Sequence, residues 1–148
     1  MKFLVINGPN LNLLGTRDPA LYGNLTLEQI ENTLRRRAAR LKAELEFLQS
    51  NSEGTLIDFI QQKAPESSGI IINPGALTHY GYSLRDALAD TGLPVVEVHL
   101  SNIYAREGWR AHSVMAAVAR GQVSGLGWRG YLYALEFLVA QVSRRRRQ

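Results

Sequence analysis

Arg17 and Tyr22 stand five residues apart in the segment Asn7-Gly8-Pro9-Asn10-Leu11-Asn12-Leu13-Leu14-Gly15-Thr16-Arg17-Asp18-Pro19-Ala20-Leu21-Tyr22-Gly23, and together they are a pair from which a base can be made. An ordinary phenol ionises near pH 10, so about one in a thousand is charged at neutral pH. A guanidinium beside it favours the ionised form, by roughly one to three pKa units. The alternative is a packed ring and a solvated arginine. His99 closes the run Pro94-Val95-Val96-Glu97-Val98-His99 and is followed by Ser101 and Asn102. A histidine among hydroxyl and amide groups can deliver a proton at neutral pH, whereas one inside a core is simply hydrogen-bonded. Asn7 and Asn10 follow one apolar run and Asn73 ends another, adding neutral polar groups to this acid–base set.

These residues need a scaffold that brings them to one place. Phe3-Leu4-Val5-Ile6, cut off by Asn7-Gly8-Pro9-Asn10, reads as a buried strand ending at a polar edge. The segment after it is too polar and too rich in Gly and Pro for a helix, and is read as a mobile flap. Thr26-Leu27-Glu28-Gln29 is a capping box, so a helix starts there, with Leu27, Ile30, Leu34, Ala38 and Leu41 on its inner stripe and Arg35, Arg36, Arg37 and Arg40 mostly facing water. Residues 44–50 are strand-like, and Ser50-Asn51-Ser52-Glu53 caps a helix running to about Lys63. Gly69-Ile70-Ile71-Ile72-Asn73 has the β-branched run of a strand covered on both faces. A helix over about 83–90, the strand 94–99, a short last strand over 123–127 and a helix from about Trp128 to Val142 complete the chain.

Strands and helices alternate at the lengths of βα units, which gives an α/β fold with a parallel sheet and helices on both faces. The expected architecture is flavodoxin-like, with five strands in the order 2-1-3-4-5. In such sheets, ligands bind at the carboxyl ends of the strands. The first, third and fourth strands end in Asn7 and Asn10, in Asn73, and in His99 with Ser101 and Asn102, so one cleft beside the flap would collect them all.

Composition narrows the partners. The chain has 148 residues and no cysteine, so disulfides, thiolate catalysis and cysteine-held metals are excluded. Three histidines without His-x-x-x-His spacing do not suggest a metal site, and no metal or redox cofactor is expected. The net charge of +4 traces to Arg144, Arg145, Arg146 and Arg147; without them, 13 basic residues face 13 acidic ones. A single domain over 1–143 with a disordered basic tail over 144–148 follows, and neither nucleic-acid nor membrane binding is expected. No leader composition is seen, so a cytoplasmic protein is expected.

Four blocks carry a resemblance: Asn7 to Gly23, Ile72-Asn73-Pro74-Gly75-Ala76-Leu77-Thr78-His79, Leu84-Arg85-Asp86-Ala87, and Glu97-Val98-His99-Leu100-Ser101-Asn102. In order and almost across the whole chain, they resemble the type II 3-dehydroquinate dehydratases. The resemblance implies anti elimination of water from 3-dehydroquinate, with Tyr22 as base, Arg17 favouring its ionised form, Asn10 stabilising the enolate through a held water, and His99 protonating the leaving hydroxyl. Glu97 would fix that imidazole. Asn73, Ser101 and the backbone N–H groups of Leu100 and Ser101 would clamp the substrate carboxylate; His79 and Arg110 would hold ring hydroxyls.

The resemblance also implies a homo-oligomer, a dodecamer built as a tetramer of trimers, with Asp86 reaching a neighbouring site. Tyr104, Trp109 and Leu132 are candidates for packing between subunits. A Schiff-base route is not expected, because Lys2, Lys42 and Lys63 are the only lysines and fall on elements away from the cleft. Gly81 stands where the family has a small hydroxyl residue, and is expected to loosen the helix start beside His79. A non-catalytic binding or signalling module of the same fold is the competing reading. Its receiver form needs acidic metal ligands at the first strand end, which here reads Asn7-Gly8-Pro9-Asn10.

Overall fold

The computed structural model describes residues Met1 to Gln148. Its strands are β1 (Lys2–Asn7), β2 (Glu44–Gln49), β3 (Gly69–Asn73), β4 (Val95–His99) and β5 (Gly121–Ser124), all parallel, in the order β2-β1-β3-β4-β5. The helices are α1 (Pro19–Tyr22), α2 (Leu27–Arg40), α3 (Glu53–Lys63), α4 (Tyr82–Asp90) and α5 (Arg129–Arg145). The expected doubly wound sheet is therefore present.

Strand alternation divides the core in two. Phe3, Val5, Ile71, Val96 and Val98 pack against Ile30 and Leu34 of α2 and Tyr131, Leu135 and Leu138 of α5. Leu4, Ile6, Ile70, Ile72 and Val95 turn to the other face, against Leu56 and Ile60 of α3 and Leu84 and Leu88 of α4. Side chains on successive strand residues point to opposite faces, so Glu97 and His99 share the α3/α4 side with Val95. Parallel register sets Asn7 beside Asn73 at the strand ends.

Three local expectations are corrected. The 7–23 segment is not without helix: Leu11–Leu13 forms a 3-10 turn, and Asp18 accepts a hydrogen bond from the Ala20 N–H at 3.0 Å to start α1 at Pro19. Its Leu11 and Leu14 are buried in the α2/α5 core, which pins the segment to the sheet. The last strand is Gly121–Ser124 rather than 123–127, because Gly125 at φ +87° turns the chain out of the ladder. The final helix runs on to Arg145, so Arg144 and Arg145 occupy its last turn, where positive charge faces the negative end of the helix dipole. No helix is long and apolar enough to cross a membrane.

The turn after β1 and the turn after β3 are in direct contact. A Cβ built on Gly8 would lie 2.3 Å from the Pro74 carbonyl oxygen, so only glycine lets the two strand ends close on each other. A Gly8→Ala change should cost at least about 2 kcal/mol of stability. Gly54→Ala on α3, where an added Cβ would meet only Ser52 Oγ at 3.8 Å, should instead stabilise by about 0.5–1 kcal/mol. Urea unfolding of the two variants measures both, and equal stabilities would refute the backbone contact.

Candidate active site

The carboxyl ends of β1, β3 and β4 open onto a cleft lined by Pro9, Asn10, Leu11, Arg17, Tyr22, Asn73, Gly75, Ala76, His79, His99, Leu100, Ser101, Ile103, Arg106 and Arg110. Asn10 takes up the left-handed region at φ 70°, which few non-glycine residues adopt. Its N–H donates to Asn51 Oδ1 at 3.0 Å, and Gln49 Nε2 donates to Asn51 Oδ1 and to the Gly8 carbonyl, each at 3.2 Å. The end of β2 thus braces the turn that presents Asn10.

Arg17 Nη2 donates to the Tyr22 hydroxyl oxygen at 2.9 Å, and its guanidinium carbon lies 3.9 Å from the centre of the same ring. A second guanidinium, that of Arg106, stands 5.4 Å from that ring and donates to Ser101 Oγ at 3.1 Å. Two permanent positive charges therefore surround one phenol.

Within β4, His99 Nε2 donates to Glu97 Oε2 at 2.5 Å. Glu97 is fully buried and also accepts from Thr78 Oγ1 at 2.6 Å and Ser113 Oγ at 2.7 Å. Burial alone would raise its pKa; the hydrogen bonds from His99, Thr78 and Ser113 outweigh that and hold the carboxyl below its ordinary value. A charged carboxylate fixed at Nε2 directs the imidazole and leaves Nδ1 as the nitrogen for the cleft.

His79 Nδ1 lies 2.7 Å from the His112 carbonyl, which can only accept, so the proton is on Nδ1. Burial lowers the His79 pKa, the His112 carbonyl opposes this, and the charges of His99 and Arg110 add to the lowering. Neutral His79 therefore offers Nε2 as an acceptor. Trp109 packs edge-on to it at 5.1 Å, and Arg110 stacks on Trp109 at 4.1 Å while donating from Nε to Glu107 Oε2 at 2.6 Å. Gly81 is the N-cap residue of α4. That residue is buried, and a Cβ there would lie 2.8 Å from the Leu77 carbonyl oxygen, so the glycine is demanded by close packing.

Of the residues singled out from the sequence, Asn10, Arg17, Tyr22, Asn73, His79, His99, Leu100, Ser101 and Arg110 meet in this cleft, and Glu97 lies directly behind His99. Asp86 does not; it is exposed on α4 outside the cleft. Asn7 is also absent from the lining, because its side chain is buried and takes a hydrogen bond from Tyr131. Arg106, Thr78 and Ser113 are the members that sequence reasoning missed. Arg106 follows the 3-10 turn Ile103–Ala105, where no periodicity marks a functional face.

Comparison with known proteins points the same way. The sequence profile described as Dehydroquinase class II matches residues 1–139. The chain belongs to this family. The 3-dehydroquinate dehydratase of Herpetosiphon aurantiacus is 56% identical over 143 residues, covering 97% of this chain and 99% of that one. The 3-dehydroquinate dehydratase of Bacillus subtilis is 53% identical over 139 residues, covering 94% of each chain. The crystal structure of a type II dehydroquinase from Butyrivibrio crossotus superposes with a TM-score of 0.91 at 46% identity, covering 93% of this chain and 97% of that one.

The buried carboxylate gives a pH-dependent stability. Because the folded-state pKa of Glu97 lies below its unfolded value, its stabilisation is complete above about pH 4.5 and fades as pH falls through the lower folded value. Glu97→Gln should cost about 2 kcal/mol or more at pH 7, with the gap to the parent narrowing in acid. Urea unfolding between pH 3 and 7 tests this; a gap that stayed constant would contradict it.

Proposed function

We propose that this cleft removes water from 3-dehydroquinate by anti elimination through an enolate, giving 3-dehydroshikimate in the shikimate or quinate pathway. The observation that carries the reading is the Arg17 to Tyr22 hydrogen bond at the mouth of a cleft that also holds the Glu97-backed His99. The relatives named 3-dehydroquinate dehydratase, matched over nearly their full lengths, supply the substrate.

The steps follow from the groups present. Tyr22, as phenolate, takes the proton α to the ketone, and Arg17 stabilises the negative charge on that oxygen before transfer. Electrons pass into the carbonyl to form the enolate, which Asn10 stabilises through a held water. Collapse of the enolate breaks the carbon–oxygen bond while Nδ1 of protonated His99 gives its proton to the departing hydroxyl, which leaves as water. Glu97 stabilises the imidazolium and sets its orientation.

The substrate carboxylate is held by Asn73, by Ser101 and by the backbone N–H groups of Leu100 and Ser101. These contacts come from fixed backbone, amide and hydroxyl dipoles, which suit an anion. Ser101 Oγ already accepts from Arg106, so its own proton is free for the carboxylate. His79 Nε2 accepts from one ring hydroxyl and Arg110 donates to another. No lysine lines the cleft, and Lys2 and Lys63 pair with Glu46 instead, which leaves no amine for a Schiff base.

The same reading assigns the chain to a cytoplasmic dodecamer, a tetramer of trimers, in which the exposed Asp86 reaches the cleft of a neighbouring copy. Tyr104 and Trp109 are more than half exposed and available to such contacts, whereas Leu132 packs on this chain's own core. Light scattering should report twelve times the 16.5 kDa chain mass, and a monomer would refute the assembly. With chelator present, 3-dehydroquinate should yield an enone absorbing in the near ultraviolet, unaffected by borohydride. Tyr22→Phe should lower kcat by about a thousandfold or more while leaving ligand binding within a few-fold. Unchanged turnover in that variant, or loss of activity on chelation, would overturn the mechanism.

A further inference from the structure

Tyr131 is the largest fully buried side chain of the molecule and belongs to the α2/α5 core, yet its hydroxyl ends against Asn73, a residue that lines the cleft. Gly130 makes this possible. A Cβ there would meet Val98 and Val123, each at 3.2 Å, so α5 lies unusually close to β4 and β5. From that position the Tyr131 hydroxyl donates to Asn7 Oδ1 at 2.5 Å and accepts from Asn73 Nδ2 at 3.1 Å, joining the neighbouring ends of β1 and β3 to α5.

Hydrogen-bond accounting allows one arrangement of this chain of groups. The Gly75 N–H can only donate, and it reaches Asn73 Oδ1 at 3.2 Å, which directs the nitrogen side of the amide to Tyr131. The phenol must then accept from Asn73 and place its own proton on Asn7 Oδ1. Turning Asn7 over would confront the hydroxyl with two N–H donors and strand its proton. The observed arrangement leaves unpaired only Asn7 Nδ2 in this group. Burial also raises the Tyr131 pKa well above its ordinary value, so the hydroxyl keeps its proton.

We infer that Tyr131 is a positioning residue: by bridging Asn7 and Asn73 it locks the Asn73 amide so that its one unspent N–H serves the cleft, which makes that end of the site select a hydrogen-bond acceptor such as a carboxylate over a donor. The inference rests on the assignment of Asn73 to the substrate carboxylate. It extends the site to a helix that contributes no lining residue. Its consequence is specificity, since a site whose amide cannot turn over rejects a ligand that presents a donor in place of an acceptor.

The test is steady-state kinetics on the full chain with 3-dehydroquinate, together with inhibition by a ring analogue bearing a carboxylate and by its carboxamide. Tyr131→Phe should raise KM about tenfold or more while kcat changes by less than about threefold, and the preference for carboxylate over carboxamide should fall by a similar factor. Leu135→Ala, one turn along the same helix and equally buried, should lower Tm but keep KM within about twofold. Should Tyr131→Phe fail to fold, Asn7→Ala carries the test, because Asn7 does not line the cleft and a raised KM there arrives through Tyr131. KM and carboxylate preference unchanged in the phenylalanine or Asn7→Ala variant, or raised equally by Leu135→Ala, would overturn the inference. Asn73→Ala separates the layers: if it raises KM and Tyr131→Phe does not, only the inference falls; if Asn73→Ala leaves KM unchanged, the carboxylate assignment falls with it.

Discussion

The site depends on one contact, the 2.9 Å hydrogen bond from Arg17 to the phenol of Tyr22. A phenol in water is a poor base at neutral pH, and a charge-assisted hydrogen bond to its oxygen is the simplest way to favour the form that accepts a proton. The surrounding structure protects this contact. Asp18 caps the short helix that carries Tyr22, while Leu11 and Leu14 anchor the intervening segment to the core. Arg106 adds a second positive charge on the same ring.

Charge is divided between the two sides of the site, with guanidinium groups beside Tyr22 and the buried carboxylate beside His99. The cleft's one buried carboxylate, Glu97, lies behind His99, where Thr78 and Ser113 share its lone pairs. It accepts from His99 Nε2 and fixes the orientation of that ring. The remaining polar groups are amides, a hydroxyl, a neutral histidine and the Arg110 guanidinium held by Glu107, which orient a ligand from fixed positions. Such groups need no reorganisation as charge moves, which is the basis of electrostatic stabilisation in a preorganised site.

Much of this was legible in the sequence, for identifiable reasons. The Thr26 capping box forms as read, with Gln29 reaching back to the Thr26 N–H, because both of its bonds are local. The β-branched run at 70–72 could only be a strand covered on both faces. Alternation of strand and helix gave the sheet order, and a parallel sheet brings the polar strand ends together. What escaped depends on distance in space. Tyr131 has the spacing of an apolar stripe, and nothing in a helical period reveals that its hydroxyl meets Asn7, 124 residues away. Thr78 and Ser113 reach Glu97 from turns 16 to 19 residues distant along the chain. The Asp18-Pro19 helix start was masked by the glycines around it, and the end of β5 by a glycine whose left-handed turn has no signature beyond its identity.

The central claim is that Tyr22 takes a proton from carbon before His99 acts on the leaving group, and it can be tested with the second step removed. In His99→Ala protein incubated with 3-dehydroquinate in deuterium oxide, proton NMR should show the hydrogen α to the ketone exchanging with solvent while product formation is strongly suppressed, and a further Tyr22→Phe change should stop the exchange. Exchange that persists without Tyr22 would contradict the account.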